Sequence, residues 1–143
     1  MTSLLGARRY LEAARRAGVL CAVVYESVST RPTLRQAGLE PLIDVVVDAA
    51  VIDAEGLRSR PAPDLPLAAC RRLELAPDRV VTFTSSPSGI VAGCRAGMST
   101  IAVGADALRE TFEGFGAEQV IPSLSALLDP RLRTGLDGGE NRE

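Results

Sequence analysis

Short apolar runs alternate with helical segments along the chain. The first run, residues 19–25, is apolar throughout, which is the pattern of a strand buried on both faces. Further strands are predicted at 44–47, 79–83, 100–103 and, more weakly, 119–121. Strands and helices that alternate in units of about 20 to 30 residues predict an α/β fold with a doubly wound, Rossmann-like parallel sheet.

Helices are predicted between these strands from apolar spacing and from capping residues. Their expected positions are 3–17 with Ser3 as the N-cap, 31–37, 64–73, a helix of small residues from the 85–89 segment to Gly97, 105–114 and 123–128. Residues 48–63, with Gly56 and two prolines, are predicted to be irregular. We expect a core over 1–128 and a flexible, charged and glycine-rich tail over 129–143.

The basic residues narrow the chemistry that the chain can perform. All 16 are arginine, and the 143 residues include no histidine and no lysine. A histidine general base, a Schiff-base lysine, a histidine metal ligand and a Walker lysine are therefore excluded. Acid–base chemistry would have to come from aspartate, glutamate, cysteine or tyrosine.

Charge and composition limit the expected partners. The formal net charge is −2 and aromatic residues make up 3%, so a basic, aromatic nucleic-acid surface is not expected. No stretch approaches 18 apolar residues, so a membrane span is not expected either. Three cysteines without a CxxC pair predict reduced thiols packed as small hydrophobes, and hence a cytoplasmic protein. A phosphorylated small molecule, a protein partner and a homo-oligomer all stay open.

Three segments together resemble one family. They are residues 17–24 (AGVLCAVV) after a helix, 56–64 (GLRSRPAPD) and 80–98 (VVTFTSSPSGIVAGCRAGM). Their order and spacing over about residues 4–128 resemble the haloacid dehalogenase (HAD) superfamily, in its β-phosphoglucomutase and phosphoglycolate-phosphatase-like branch. The segments correspond to the approach to that family's second motif, to its third motif and to its fourth motif.

The resemblance implies a phosphoryl-transfer site. The family uses an aspartate nucleophile in a DxD motif after its first strand, and acidic residues of the fourth motif hold Mg²⁺. A second-motif hydroxyl and a third-motif lysine bind the phosphate. Carboxylates suit a hard cation, and a cation with hydrogen-bond donors suits a phosphoryl group.

This chain departs from the family pattern at every motif. It begins after the position where the first strand, the DxD motif and the cap domain are expected. The second-motif hydroxyl position falls on Tyr25, the lysine position on Arg60, and the two acidic positions on Thr84 and Ser85. We therefore expect no catalytic residue, no metal site and no cofactor, although the family would use Mg²⁺. At the family level the enzyme class would be hydrolase or phosphoglucomutase, and this chain is interpreted as a pseudoenzyme.

Residues near the strand ends are the candidates for a retained binding site. Ser27, Arg60, Ser85 and Ser86 are predicted to bind phosphate, and Tyr25 and Thr84 to line the crevice. Simpler interpretations stay open, because serines form turns and helix caps, an arginine is often a solvated loop residue, and a tyrosine can plug a site. Asp44, Asp48 and Asp53 are interpreted as surface carboxylates, and Cys70 and Cys94 as core residues.

Loss of the family's central strand leaves two expectations for the sheet. The strands on either side could close up into one sheet of order 2-1-3-4-5, which needs no partner and is preferred. Otherwise a gap stays open for a partner strand. The leading interpretation is an inactive HAD-like domain that binds phosphate, another ligand or a protein. The alternatives are part of a sugar-phosphate phosphatase or β-phosphoglucomutase completed by another chain, and a product without a selected role.

Overall fold

The strands and helices alternate along the chain as the apolar pattern predicts. The structure, a computed structural model, describes residues 2–104 and 109–122, with side chains from residue 7 onward. Its helices are α1 (Thr2–Arg16), α2 (Thr30–Gln36), α3 (Ala49–Glu55), α4 (Asp64–Leu73), α5 (Pro87–Arg95) and α6 (Arg109–Gly114). Its strands are β1 (Ala22–Val24), β2 (Val45–Val47), β3 (Val81–Thr84), β4 (Ser99–Val103) and β5 (Gln119–Ile121). Short 3₁₀ turns cover Glu40–Leu42 and Pro77–Arg79. The α/β class with parallel strands is confirmed.

The strands form two parallel sheets rather than one. β1 pairs with β2, with Val23 opposite Val46. The second sheet has the order β3-β4-β5, with Phe83 opposite Ile101. Within the described residues β1 and β3 do not pair, so the preferred expectation of a closed five-stranded sheet is wrong.

The helices α1 and α4 pack beside the two sheets. Leu11 of α1 and Val23 of β1 pack against the same buried cluster, which includes Val46 of β2. The ring of Tyr10, also in α1, contacts the ring of Phe83 edge-on, with centroids 5.5 Å apart. On the other face α4 packs against β1 and β2 and also contacts α5. Residues of α1 and α4 line the space that lies between β1 and β3.

Each sheet has its own apolar core. On the first sheet Leu34, Leu39 and Val46 form a buried cluster. On the second sheet the core is built by the fully buried Ile90 of α5, with Ala102, Phe112 and Val120. The helices therefore fix both sheets, and with them the loops at the strand ends.

The segment 48–63 corrects the prediction of an irregular connection, because its first half is α3. The Asp48 carboxylate accepts a hydrogen bond from the Val51 N–H at 3.2 Å and caps the helix. Gly56 ends it in the left-handed conformation, at a φ of 63°. Asp48 is accordingly buried and paired with Arg31, and it is not the predicted surface carboxylate.

Other predicted features differ in detail. Ser3 lies inside α1, which already includes Thr2, so it is not the N-cap. β1 covers three residues of the predicted 19–25 run. Cys70 is buried as expected, whereas Cys94 is exposed and contradicts the prediction.

The remaining predictions fall partly outside the described residues. These are residues 105–108 of the predicted 105–114 helix, the predicted 123–128 helix and the predicted 129–143 tail. In the described part of the chain no helix has the length and apolar character needed to cross a membrane.

Substitution of Gly93 should destabilise the fold, because α5 lies close to the second sheet there. A Cβ at Gly93 would lie 2.6 Å from Thr100 Oγ1 and 2.7 Å from Thr82 Cγ2. We expect Gly93→Ala to lower the free energy of unfolding by about 1–3 kcal/mol through overpacking. Gly114→Ala is the matched control, since a Cβ there meets nothing within 4 Å. Urea denaturation of both variants checks this, and equal stabilities would contradict it.

Candidate functional site

The candidate site lies where β1 and β3 end and their loops begin. In parallel α/β sheets, ligands bind outside the carboxyl ends of the strands. Tyr25, Glu26 and Ser27 follow β1, and Ser85 and Ser86 follow β3. The loop after α3 brings Arg60 to the same region.

Glu26 is the centre of the hydrogen bonds at this site. The Ser59 hydroxyl donates to Glu26 Oε2 at 2.6 Å, and Arg60 Nε donates to Oε1 at 3.4 Å. The bond from Ser59, aided by Arg60, holds the pKa of the Glu26 carboxyl below its ordinary value of 4.5. The carboxylate is therefore charged at neutral pH and partly neutralises Arg60.

Glu26 and Ser59 were not among the predicted site residues. The signal was present, because Glu26 lies between the two predicted residues Tyr25 and Ser27, and Ser59 precedes Arg60. The family resemblance predicts that Arg60 binds phosphate. It does not suggest that a carboxylate, Glu26, forms an ion pair with this arginine.

A second ion pair orients the loop that carries Arg60. The Arg58 guanidinium donates to both oxygens of Asp64, at 3.1 Å and 2.8 Å, and the Arg58 N–H donates to the same carboxylate at 2.9 Å. Asp64 is the first residue of α4, and its pKa is lowered by these bonds. The loop is thus tied to α4, and the Arg60–Pro61 peptide bond within it is cis.

The serines after β3 cap a helix. The Ser86 hydroxyl accepts a hydrogen bond from the Gly89 N–H at 3.1 Å, and the Ser86 N–H donates to Thr84 Oγ1 at 3.4 Å. Ser85 is exposed. Because the Ser86 hydroxyl already serves as the N-cap of α5, its predicted role toward phosphate competes with an internal bond.

Ser27 and Tyr25 lie at the end of β1 in a turn. The Ser27 hydroxyl accepts a hydrogen bond from the Ser29 N–H at 3.1 Å. The Ser27 backbone carbonyl accepts a second hydrogen bond, from Thr30 Oγ1, at 2.9 Å. The Tyr25 residue is 56% exposed. The Ser27 hydroxyl is therefore engaged within the turn.

A cleft separates β1 from β3, and we call it the interstrand cleft. Its volume is about 400 Å³, and it is lined by Ala22–Val24 of β1, Val81–Thr84 of β3, and residues of α1 and α4. Of the predicted site residues, Arg60 and Thr84 line it, whereas Tyr25, Ser27, Ser85 and Ser86 do not. The structure therefore brings Arg60 and Thr84 to one cavity and leaves the serines in the turns around it.

Comparison with known proteins places these features in a family. No protein-family model matches the chain. Over 128 residues the chain is 37% identical to a β-phosphoglucomutase of Mycobacterium bovis, and equally to one of Mycobacterium tuberculosis. The match covers 86% of this chain and 48% of the relative, so the chain spans about half the length of the curated relatives that it matches.

Solved structures of the same kind share the fold. A HAD family hydrolase from Deinococcus radiodurans, solved with bound phosphate and sodium, superposes with a TM-score of 0.77 at 29% identity, covering 95% of this chain and 59% of that chain. A β-phosphoglucomutase from Clostridium difficile gives a TM-score of 0.78 at 18% identity, covering 93% and 56%, which shows the fold alone.

The fold is that of a Rossmann-like α/β protein, and it is shared with the HAD family hydrolase from Deinococcus radiodurans. The chain belongs to the haloacid dehalogenase superfamily, and its relatives include β-phosphoglucomutases. The family resemblance of the three sequence segments is thereby confirmed.

The side chains at this site do not fit the Mg²⁺ that the family implies. Thr84 ends β3 and Ser85 follows it, and the neutral hydroxyls of both lack the carboxylate oxygens that a hard cation requires. Glu26 already holds Ser59 and Arg60. Among the described residues no three carboxylate or cysteine side chains are grouped so that they could hold a metal.

Loss of the Ser59 hydroxyl should raise the pKa of Glu26, because its bond is the largest cause of the lowered pKa. Glu26 with a depressed pKa stabilises the fold above pH 4.5, and this contribution is lost as the pH falls through the folded-state value. In a carbon-13 NMR titration we expect Ser59→Ala to raise the pKa of Glu26. The stability that the fold loses as the pH falls should then be smaller in this variant than in the original chain. Ser85→Ala is the control, and equal titration curves for both variants would contradict the assignment.

Proposed function

We propose that this chain is a binding module of the HAD superfamily that does not transfer phosphoryl groups by itself. The proposal is carried by the end of β3, where Thr84 and Ser85 stand at the positions of the family's acidic motif. Phosphoryl transfer depends on positioning and on electrostatic stabilisation of the transferring group, which metal ions commonly supply. Two neutral hydroxyls cannot supply that charge.

The charge around Arg60 disfavours the binding of a free phosphate. The Glu26 carboxylate lies 3.4 Å from Arg60 Nε and repels a phosphate dianion that approaches the same guanidinium. The Ser86 and Ser27 hydroxyls are engaged in internal hydrogen bonds. Phosphate binding through Ser27, Arg60, Ser85 and Ser86 therefore stays a prediction, and we expect it to be weak.

The interstrand cleft favours a second candidate function. Two strand edges that face an open space suit a segment supplied by another chain, as a phosphatase or β-phosphoglucomutase assembled from two chains would require. Such an assembly would still need a metal site, and Thr84 and Ser85 do not provide one. We therefore rank it below the binding module.

The purified chain should release no phosphate from p-nitrophenyl phosphate in the presence of Mg²⁺. Phosphate monoester hydrolysis has one of the slowest uncatalysed rates, so a site without a metal or a nucleophile gives no measurable turnover. Magnesium-dependent release that follows the protein through successive purification steps would contradict the proposed function.

Restored carboxylates should create the missing metal site. We expect the double variant Thr84→Glu, Ser85→Asp to show a Mg²⁺-dependent thermal shift that the original chain lacks. The control is Thr33→Glu, Gln36→Asp, which adds the same charge on exposed positions of α2. Equal shifts in both variants would indicate nonspecific cation binding and contradict the assignment of this position.

Removal of the Glu26 charge should tighten the binding of inorganic phosphate. One unit charge at about 4 Å contributes about 1 kcal/mol in water, or about fivefold in affinity. We expect Glu26→Gln to bind phosphate about fivefold more tightly by calorimetry, and the further change Arg60→Ala to abolish this gain. Arg79→Ala, at an exposed arginine, is the control. An affinity that Glu26→Gln leaves unchanged or lowers would contradict the repulsion argued above.

A further inference from the structure

Two sulfur atoms meet in the core between α4 and the turn that leads into β4. The Cys70 thiol, toward the C-terminal end of α4, donates a hydrogen bond to Met98 Sδ at a sulfur–sulfur distance of 4.0 Å. Both residues are buried, and Val80 and Ala96 belong to the same apolar cluster. The core therefore holds a thiol and a thioether in direct contact, in apolar surroundings.

The spacing of the two sulfurs fits one bridging metal ion. A metal ion about 2.3 Å from each sulfur, the length of a zinc–thiolate bond in proteins, would subtend an angle of about 120° between sulfurs that are 4.0 Å apart. That is the angle between two ligands of a trigonal, three-coordinate ion. The sulfurs would not have to separate to accept the ion, and one coordination position would stay open.

A cavity beside α4 gives access to the thiol. Its volume is about 250 Å³, and Cys70 and Pro77 are among the residues that line it. Gly97, directly before Met98, lies near this lining, since a Cβ on it would be 4.0 Å from Pro77 Cβ. A metal site needs an entry path, and the same cavity has room for a third ligand from solution.

The chemistry of the two ligands selects the ion. Thiolate and thioether sulfur are soft ligands, which suit Cu(I). Mg²⁺ and Ca²⁺ require oxygen ligands, and a structural Zn²⁺ site has four ligands. Among the described residues no three cysteine or carboxylate side chains are grouped to supply them. Cu(I) on one thiolate is neutral, so burying the pair costs less than burying a divalent ion would.

We propose that Cys70 and Met98 bind a soft monovalent metal ion of the Cu(I) class, with a third ligand entering through the cavity beside α4. On binding, the Cys70 S–H bond breaks, its proton passes to solvent, and a sulfur–copper bond forms. A lone pair of the Met98 thioether makes the second bond. The copper stays Cu(I) throughout, so no oxidant or reductant is needed.

Anaerobic titration with Cu(I), in competition with a chromophoric Cu(I) chelator, tests the proposal. The parent chain is Cys94→Ser, because the exposed thiol of Cys94 would bind the ion on its own. We expect the parent to bind one equivalent, Met98→Leu to bind at least tenfold more weakly, and Cys70→Ala to bind at least a hundredfold more weakly. Met98→Leu nearly conserves volume, so the core stays packed.

Cys21→Ala is the matched control. Cys21 is also a buried thiol, but its Sγ lies near the Val19 carbonyl instead of a second sulfur. This variant should bind Cu(I) as the parent does. Thermal melts verify that each variant folds.

X-ray absorption at the copper edge gives a second measurement that does not depend on the variants. We expect sulfur neighbours from both residues in the parent at about 2.3 Å, and one fewer in Met98→Leu. A single sulfur neighbour in the parent would contradict the proposal even where a variant fails to fold.

Each contrary result of the titration would also overturn the inference. Equal affinity in Met98→Leu would mean that a thiol alone holds the ion. Equal affinity in Cys70→Ala would assign the ion to another residue. A parent chain that binds no Cu(I) would make the contact between the two sulfurs one of core packing only.

Discussion

Among the described residues, β1 and β3 do not pair with each other, and the arrangement of the site loops follows from this separation. A strand edge without a neighbour exposes N–H and C=O groups that are costly to bury without partners. In this chain the two edges border the interstrand cleft, which residues of α1 and α4 also line. The site loops are arranged around this cleft, with Arg60 and Thr84 on its lining.

Much of this fold could be predicted from the sequence. The five strands follow from apolar runs such as 100–103, of which residues 100–102 are buried although successive side chains point to opposite faces of the sheet. The helix after β3 follows from Ser86 and Pro87, a cap and a first-turn proline. α3 was missed because two prolines and Gly56 dominated the pattern, although Asp48 and Gly56 are also the cap and stop signals of a seven-residue helix.

The arrangement of the sheets could not be predicted in the same way. Hydrogen bonding favours closure of β1 onto β3, and no local pattern opposes it. The contacts that border the cleft, such as that of Tyr10 with Phe83, join residues far apart in the sequence and form only in the tertiary structure. In the candidate site the motif positions predicted which loops meet. The role of Glu26 depends on the hydrogen bond that it accepts from Ser59, which lies 33 residues away in the sequence. No single sequence segment contains both residues, so no local pattern predicts this bond.

NMR shows directly whether β1 and β3 pair in the free chain. Scalar couplings across hydrogen bonds, with contacts between amide and Hα protons of neighbouring strands, report which strands pair in the free chain. The pairs β1–β2 and β3–β4 serve as positive controls. We predict signals for both controls and none between Ala22–Val24 and Val81–Thr84. Couplings that join those two strands would show a closed sheet and contradict the account.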